Sequence, residues 1–145
     1  MAISRGLRNN NPLNIRKSPT QFVGETDGKD DAFKTFKTMA YGYRAAFVIL
    51  RTYYKKYGCD TVGKIIKRWA PPTENNTTNY IATVSRRSKI PSGRKLSFSM
   101  GEMTAIVAAM SYVENGEAAD AKTVAQGWDL TYRCRSTATA VWNSP

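Results

Sequence analysis

Residues 99–116, SMGEMTAIVAAMSYVENG, predict a single helix whose two ends are both marked. Ser99 followed by Glu102 three residues later is a capping-box pattern, which indicates the start of a helix. Asn115 and Gly116 favour the left-handed backbone that ends one. The residues between these signals are apolar almost all round, so we expect the rest of the protein to enclose this helix.

Glu114 lies in the last turn of the same helix. The negative end of the helix dipole disfavours an ionised carboxylate there, and partial burial acts in the same direction. A carboxyl group that stays protonated near neutral pH is what a general acid requires. Glu114 is therefore the first candidate catalytic residue. The alternative is a frayed helix end with Glu114 in water.

The composition is strongly basic. The 145 residues include 22 Lys and Arg against 11 Asp and Glu, a net charge of +11. Such a surface favours a polyanion: nucleic acid, an anionic membrane or an acidic cell-wall polymer. Histidine is absent, which excludes Ser-His-Asp and Cys-His catalysis, and we expect neither a metal site nor a cofactor. Cys59 and Cys134 allow one disulfide without requiring it.

Other helices are predicted from apolar spacing and from their end signals. Asp120 is expected to begin a short helix that Gly127 stops, and residues 131–145 are expected to form an irregular tail because they lack helical periodicity. Earlier in the chain the predicted helices are Tyr41–Tyr57 ending at Gly58, a helix capped by Asp60 and ended by Pro71–Pro72, and a helix capped by Asn76 or Thr77.

Residues 20–37 predict a small β hairpin, in which Phe22–Val23 and Phe33–Phe36 flank a loop rich in glycine and aspartate. Acidic residues are concentrated in this loop without the spacing of a calcium loop. Glu25 and Asp30 could supply a second active-site carboxylate, and a solvated loop is the alternative. The predicted fold is mainly α (α+β), with one helical domain over residues 1–130 and a small N-terminal hairpin.

Three blocks of sequence together carry a resemblance. They are RNNNPLNIR (8–16), FKTFKTMAYGYRAA (33–46) and RWAPPTENNTTNYIATV (68–84). In combination they resemble small phage-type and Bacteroides-type proteins described as virion-associated, lysozyme-like peptidoglycan hydrolases. The likeness extends from about Arg5 to Leu130 and does not include the tail.

A more distant resemblance concerns the mechanism. In lysozyme-like glucosaminidases and lytic transglycosylases, a buried helix ends in the catalytic glutamate and an asparagine-rich loop follows it. AIVAAMSYVENG (105–116) looks like that helix, and NNNPLNI (9–15) looks like that loop, but their order along the chain is exchanged. The resemblance therefore implies a circularly permuted lysozyme-like domain, which is feasible when chain termini lie close together.

The resemblance implies an enzyme that cleaves the β-1,4 bond between peptidoglycan sugars, with Glu114 as general acid. A muramidase of the hydrolase type needs a second carboxylate, for which Glu25, Asp30 and Glu74 are the candidates. A lytic transglycosylase needs only one acid, because a hydroxyl of the sugar itself attacks. The candidate substrate-binding residues are Asn10, Asn11, Asn14, Arg16, Trp69, Asn75 and Tyr80.

Two other classes of protein compete with this hypothesis: a basic nucleic-acid-binding module and a non-catalytic structural protein of a virion. Nucleic acid is the less favoured partner, because no recognised binding motif is present. The sequence contains no run of about 18 apolar residues, so no membrane span is predicted. The N-terminus also lacks the apolar core of a signal peptide. We therefore expect action at the bacterial wall or periplasm after virion delivery, holin release or injection, with a phage virion or a secretion system as partner.

Overall fold

The computed structural model describes residues 3–73 and 75–137. Within these ranges the protein is mainly helical, and its one sheet is a two-stranded antiparallel hairpin near the N-terminus, as predicted. The first strand is Glu25–Thr26, within the predicted loop, and not Phe22–Val23. The strands pair Glu25 with Phe36 and Thr26 with Thr35. The elements are α1 Arg5–Arg8, β1 Glu25–Thr26, β2 Thr35–Phe36, α2 Met39–Tyr57, α3 Val62–Trp69, α4 Thr77–Ser88, α5 Met100–Asn115 and α6 Ala121–Thr137.

Helix α5 begins and ends at the predicted residues. The Glu102 amide donates a hydrogen bond to Ser99 Oγ at 3.2 Å, and the Ser99 amide donates to Glu102 Oε1 at 3.0 Å. Gly116 ends the helix with φ +75°. Met103, Ile106 and Met110 are fully buried, and α4 and α6 pack along the helix. The prediction that other parts of the protein enclose α5 is confirmed.

The hydrophobic core has two parts. The larger part joins α2, α3, α4, α5 and α6, and the edge of the Phe47 ring meets Trp128 with 5.2 Å between ring centroids. The smaller part lies between the hairpin and α2, and consists of Ile15, Phe22, Phe36, Ala45 and Val48. Trp69 packs against both parts. The hairpin is therefore attached to the helical body through apolar contacts and not only through its backbone.

Helix α6 differs from the prediction. It continues through Gly127 as far as Thr137, and Val124, Trp128 and Thr131 are buried at the spacing of one helix face. A Cβ at Gly127 would lie 2.6 Å from Tyr43 Cβ, because α2 crosses there at close range. The predicted stop at Gly127 and the predicted irregular structure from Thr131 are therefore wrong up to Thr137. The rest of the predicted tail, 138–145, lies outside the described residues.

The remaining helix ends follow the predicted signals with small shifts. Gly58 ends α2 with φ +64°, as expected. Thr61 and not Asp60 caps α3, since the Asp60 carboxylate pairs with Lys64 at 3.0 Å. The side chain of Asn76 caps α4, which is one of the two predicted choices.

Two further expectations concern cysteines and membranes. Among the described side chains Cys59 is a free, buried thiol, and the side chain of its possible partner Cys134 lies outside that set. In the described ranges no helix has an apolar stretch long enough to span a bilayer.

Replacement of Gly127 by alanine is expected to destabilise the protein. The added methyl group would lie 2.6 Å from Tyr43 Cβ and 3.0 Å from the Ala40 carbonyl oxygen, and overpacking of this kind costs about 1–3 kcal/mol. Gly101 in α5 is the matched control, because a Cβ there meets no atom within 4 Å. Urea unfolding should show a lower midpoint for Gly127→Ala and an unchanged or higher one for Gly101→Ala. Equal midpoints would contradict the close helix crossing.

Candidate active site

Glu114 lies at the C-terminal end of α5, and both of its carboxylate oxygens accept hydrogen bonds. Asn14 Nδ2 donates to Oε1 at 2.8 Å, and the Tyr80 hydroxyl donates to Oε2 at 2.9 Å. The side chain is partly buried, so it is not the frayed, solvated alternative. Donors on both oxygens fix the direction of the carboxylate before any ligand arrives.

Asn14 comes from the N-terminal segment, 100 residues earlier in the chain. It takes φ +54°, a left-handed conformation that asparagine tolerates better than most residues. Its Oδ1 is buried and has no hydrogen-bond partner among the described residues. Asn14 was a candidate sugar ligand in the sequence, and the structure places it as a direct partner of Glu114.

Asn115 fastens the N-terminal segment beside Glu114. Its Nδ2 donates to the Pro12 carbonyl at 2.7 Å and to the Ser111 carbonyl at 2.9 Å. Its Oδ1 accepts from Ser4 Oγ at 2.7 Å. The asparagine-rich start of the chain is therefore in contact with the end of α5.

Tyr80 is the second partner of Glu114 and lies on α4, with only 7% of its surface exposed. Burial, followed by the negative charge of Glu114, raises the pKa of the Tyr80 phenol. The phenol therefore keeps its proton throughout the physiological range and remains a hydrogen-bond donor to the carboxylate.

Two clefts meet at Glu114. A larger cleft of about 670 Å³ and a smaller one of about 340 Å³ share Glu114 and Asn75 as lining residues. Trp69 and Arg16 line the larger cleft, and Tyr80 lines the smaller one. The two adjoining clefts thus bring together six of the residues predicted from the sequence: Glu114, Asn14, Arg16, Trp69, Asn75 and Tyr80. Among the described lining residues of both clefts, Glu114 is the only acidic one.

Asn10 and Asn11 are placed differently from the prediction. Asn11 is fully buried; its Nδ2 donates to the Ile15 and Lys34 carbonyls, and its Oδ1 accepts from the Ile15 amide. Asn10 has φ +52° and donates to the Phe36 carbonyl at 3.0 Å. Both amides serve the backbone of the N-terminal segment, so the expected role as sugar ligands is replaced by a structural one.

Glu25 also has a structural role. Its carboxylate pairs with the buried Lys34 at 3.0 Å, and Lys34 Nζ also donates to the Ser18 and Thr20 carbonyls. Ser18 and Thr20 line the larger cleft, whereas Glu25 is not among its described lining residues. A buried pair of this kind depends on both partners. Lys34 and Glu25 therefore shape the wall of the cleft instead of supplying a second catalytic carboxylate.

Asp30 likewise has a structural environment. It accepts hydrogen bonds from Arg5, Asn9 and the backbone amides of Ala32 and Phe33. The Arg5 guanidinium, followed by the two backbone amides, holds the pKa of the Asp30 carboxyl well below its usual range. Asp30 is not among the described lining residues of either cleft. The expectation that it supplies a second active-site carboxylate is therefore corrected to a structural role.

Glu74, the third candidate for a second carboxylate, lies outside the described residues. Its neighbour Asn75 lines both clefts and donates to the Pro71 carbonyl at 3.2 Å. Among the described side chains, no three or more acidic or cysteine residues lie together in a group that could hold a metal ion.

Several cleft residues were missed in the sequence. Lys56, Arg68, Tyr53 and Tyr57 are not among the site residues predicted from the sequence. All four line the larger cleft. The pairing of basic and aromatic residues at the end of α2 was a usable signal, but only the fold shows that α3 adds Arg68 to the same wall.

Asp30→Asn is expected to reduce stability in a pH-dependent way. The native pKa of Asp30 is lowered, whereas an unfolded aspartate titrates near ~3.9. The carboxylate therefore stabilises the fold above that pH, and this contribution is lost as the pH falls towards the native pKa. Urea midpoints should differ between wild type and Asp30→Asn at pH 7, and the difference should become smaller at about pH 3, below the unfolded pKa.

Asp27→Asn is the control for this experiment, because Asp27 is exposed in the same hairpin. It should match the wild type at both pH values. An equal loss at neutral and acid pH in Asp30→Asn would contradict the assignment of the effect to the ionised carboxylate.

The sequence is similar to that of a known phage protein. No protein-family model matches the chain. Protein P5 of Pseudoalteromonas phage PM2 is 45% identical over 117 residues, which cover 78% of this chain and 72% of the phage protein. An alignment of this identity and coverage shows common descent. The chain belongs to the family of protein P5 of Pseudoalteromonas phage PM2.

Proposed function

We propose that the protein cleaves the glycan strands of peptidoglycan, with Glu114 as the general acid. The observation that carries this proposal is the position of one oriented carboxyl group where two clefts meet. A polymer lying along both clefts would present an internal bond to that group. The amides of Asn75, Asn76 and Asn79 and the ring of Trp69 supply hydrogen bonds and an apolar face of the kind that sugars bind.

The chemistry begins with protonated Glu114. The acid gives its proton to the glycosidic oxygen, the bond from that oxygen to the anomeric carbon breaks, and an oxocarbenium-like sugar remains. Tyr80 suits both states of Glu114, because its hydroxyl donates to a carboxylate and its oxygen can accept from a carboxylic acid. Half a turn of the Asn14 amide would likewise present its unpartnered Oδ1 to the acid.

Two routes complete the reaction. In a lytic transglycosylase the 6-hydroxyl of the same sugar attacks the anomeric carbon, and the Glu114 carboxylate takes the hydroxyl proton. In a hydrolase water attacks instead, assisted by a second carboxylate. Glu74 is the remaining candidate for that carboxylate, because Glu25 pairs with Lys34 and Asp30 pairs with Arg5.

The phage relative supports a place for this enzyme in a phage, where a wall-cleaving protein would be carried by the virion or released at lysis. The same relative also favours a second candidate, a structural virion protein without activity. The net charge of +11 would hold either protein against an acidic wall. Only the enzyme requires the carboxyl group of Glu114.

Glu114→Gln is therefore expected to abolish lysis of purified peptidoglycan. Loss of a general acid lowers the rate by about 10²–10⁴-fold, while the isosteric amide should leave the melting temperature near that of the wild type. Glu117→Gln is the matched control, since it changes the same charge at an exposed position three residues away and should keep full activity. Lysis that survives in Glu114→Gln, or that is absent in the wild type, would overturn the proposal.

Mass spectrometry of the products separates the two routes. A transglycosylase leaves 1,6-anhydro ends and takes up no ¹⁸O from labelled water, and its activity should survive Glu74→Gln. A hydrolase leaves reducing ends that contain ¹⁸O, and Glu74→Gln should inactivate it.

A further inference from the structure

We infer that Lys56 and Arg68 form a binding site for a negatively charged substituent of the glycan, in the wall of the larger cleft. The inference rests on the proposed function, because it specifies which glycans the cleft takes. Lys56 lies in the last turn of α2 and Arg68 in the last turn of α3, and both side chains are exposed. Both also line the 670 Å³ cleft that reaches Glu114.

Arg68 stacks on two tyrosine rings. Its guanidinium carbon lies 3.6 Å from the centroid of the Tyr57 ring and 5.2 Å from that of Tyr53. Stacking covers one face of the planar guanidinium and leaves its N–H edges free to bind a carboxylate through two hydrogen bonds. Stacking restricts the rotamers of Arg68, so less side-chain entropy is lost when a ligand binds.

The charge of this wall is not neutralised within the described protein. None of the ion pairs among the described residues involves Arg16, Lys56 or Arg68, and all three line the larger cleft. A neutral polysaccharide would bring no counter-charge to three cations in one depression. An acidic ligand would bring negative charge that complements these three cations.

Peptidoglycan carries such a group. Its muramic acid sugars bear peptide stems that contain carboxylates, whereas chitin has a similar β-1,4 backbone without them. Nucleic acid is also a polyanion, but its phosphate charges recur at every nucleotide and would pass the Glu114 carboxylate in the same cleft. The observations therefore favour a glycan with spaced acidic branches.

The experiment measures binding without turnover. In a Glu114→Gln background, isothermal titration would compare soluble glycan fragments that keep their stem peptides with chitotetraose and with a DNA duplex. The test variant is Lys56→Gln with Arg68→Gln. The control is Lys55→Gln with Lys67→Gln, which removes the same charge from the adjacent exposed positions of the same two helices. Thermal melting verifies that both double variants fold.

The parent protein should bind the acidic glycan more tightly than chitotetraose. Hydrogen bonds to charged groups predict that Lys56→Gln/Arg68→Gln weakens binding of the acidic glycan by at least about tenfold. The control should retain the parent affinity, and chitotetraose should not distinguish the variants. Added salt should weaken the acidic glycan most in the parent and in the control.

Three results would overturn the inference: equal affinity for acidic and neutral glycans, an equal loss in both double variants, or a loss confined to DNA. Failure of the proposed function is separate. If the acidic glycan binds as expected but the wild-type protein cleaves no peptidoglycan, the binding site stands and the catalytic proposal fails.

Discussion

The structure depends on the hydrogen bonds that hold the N-terminal segment against the end of α5. Asn115 binds that segment at Ser4 and Pro12, and Asn14 then reaches Glu114 from it. Gly6 permits the close contact, since a Cβ there would lie 2.7 Å from Asn115 Oδ1. Without this attachment, the carboxylate would lose one of its two donors and the cleft would lose the wall that Leu13, Asn14 and Ile15 provide.

The same attachment places the polar side chain of Glu114 at the edge of the apolar core. Helix α5 is enclosed along most of its length, and Glu114 emerges only in its last turn. At another part of the cleft lining, buried Lys34 binds the carbonyls of Ser18 and Thr20. Hydrogen bonds thus hold two segments of the cleft lining in place, and such pre-organisation lowers the entropy lost when a ligand binds.

Sequence reasoning located the elements whose signals are local. The capping box at Ser99, the stops at Gly58 and Gly116 and the hairpin all depend on neighbouring residues, and each is present. Gly127 was misread because a glycine required by a close helix crossing looks the same in sequence as one that ends a helix. The partner that requires the glycine is α2, which lies some eighty positions earlier in the chain. The residues around Gly127 therefore contain no signal of this contact.

The candidate site shows the same division. Glu114 was identifiable from its own helix, but the loss of Glu25 and Asp30 as candidates follows from partners elsewhere in the N-terminal region, Lys34 and Arg5. Asn14 and Glu114, finally, are 100 residues apart. During synthesis on the ribosome the first would emerge long before the second, so a nascent chain could not form this hydrogen bond until α5 had been translated as far as Glu114.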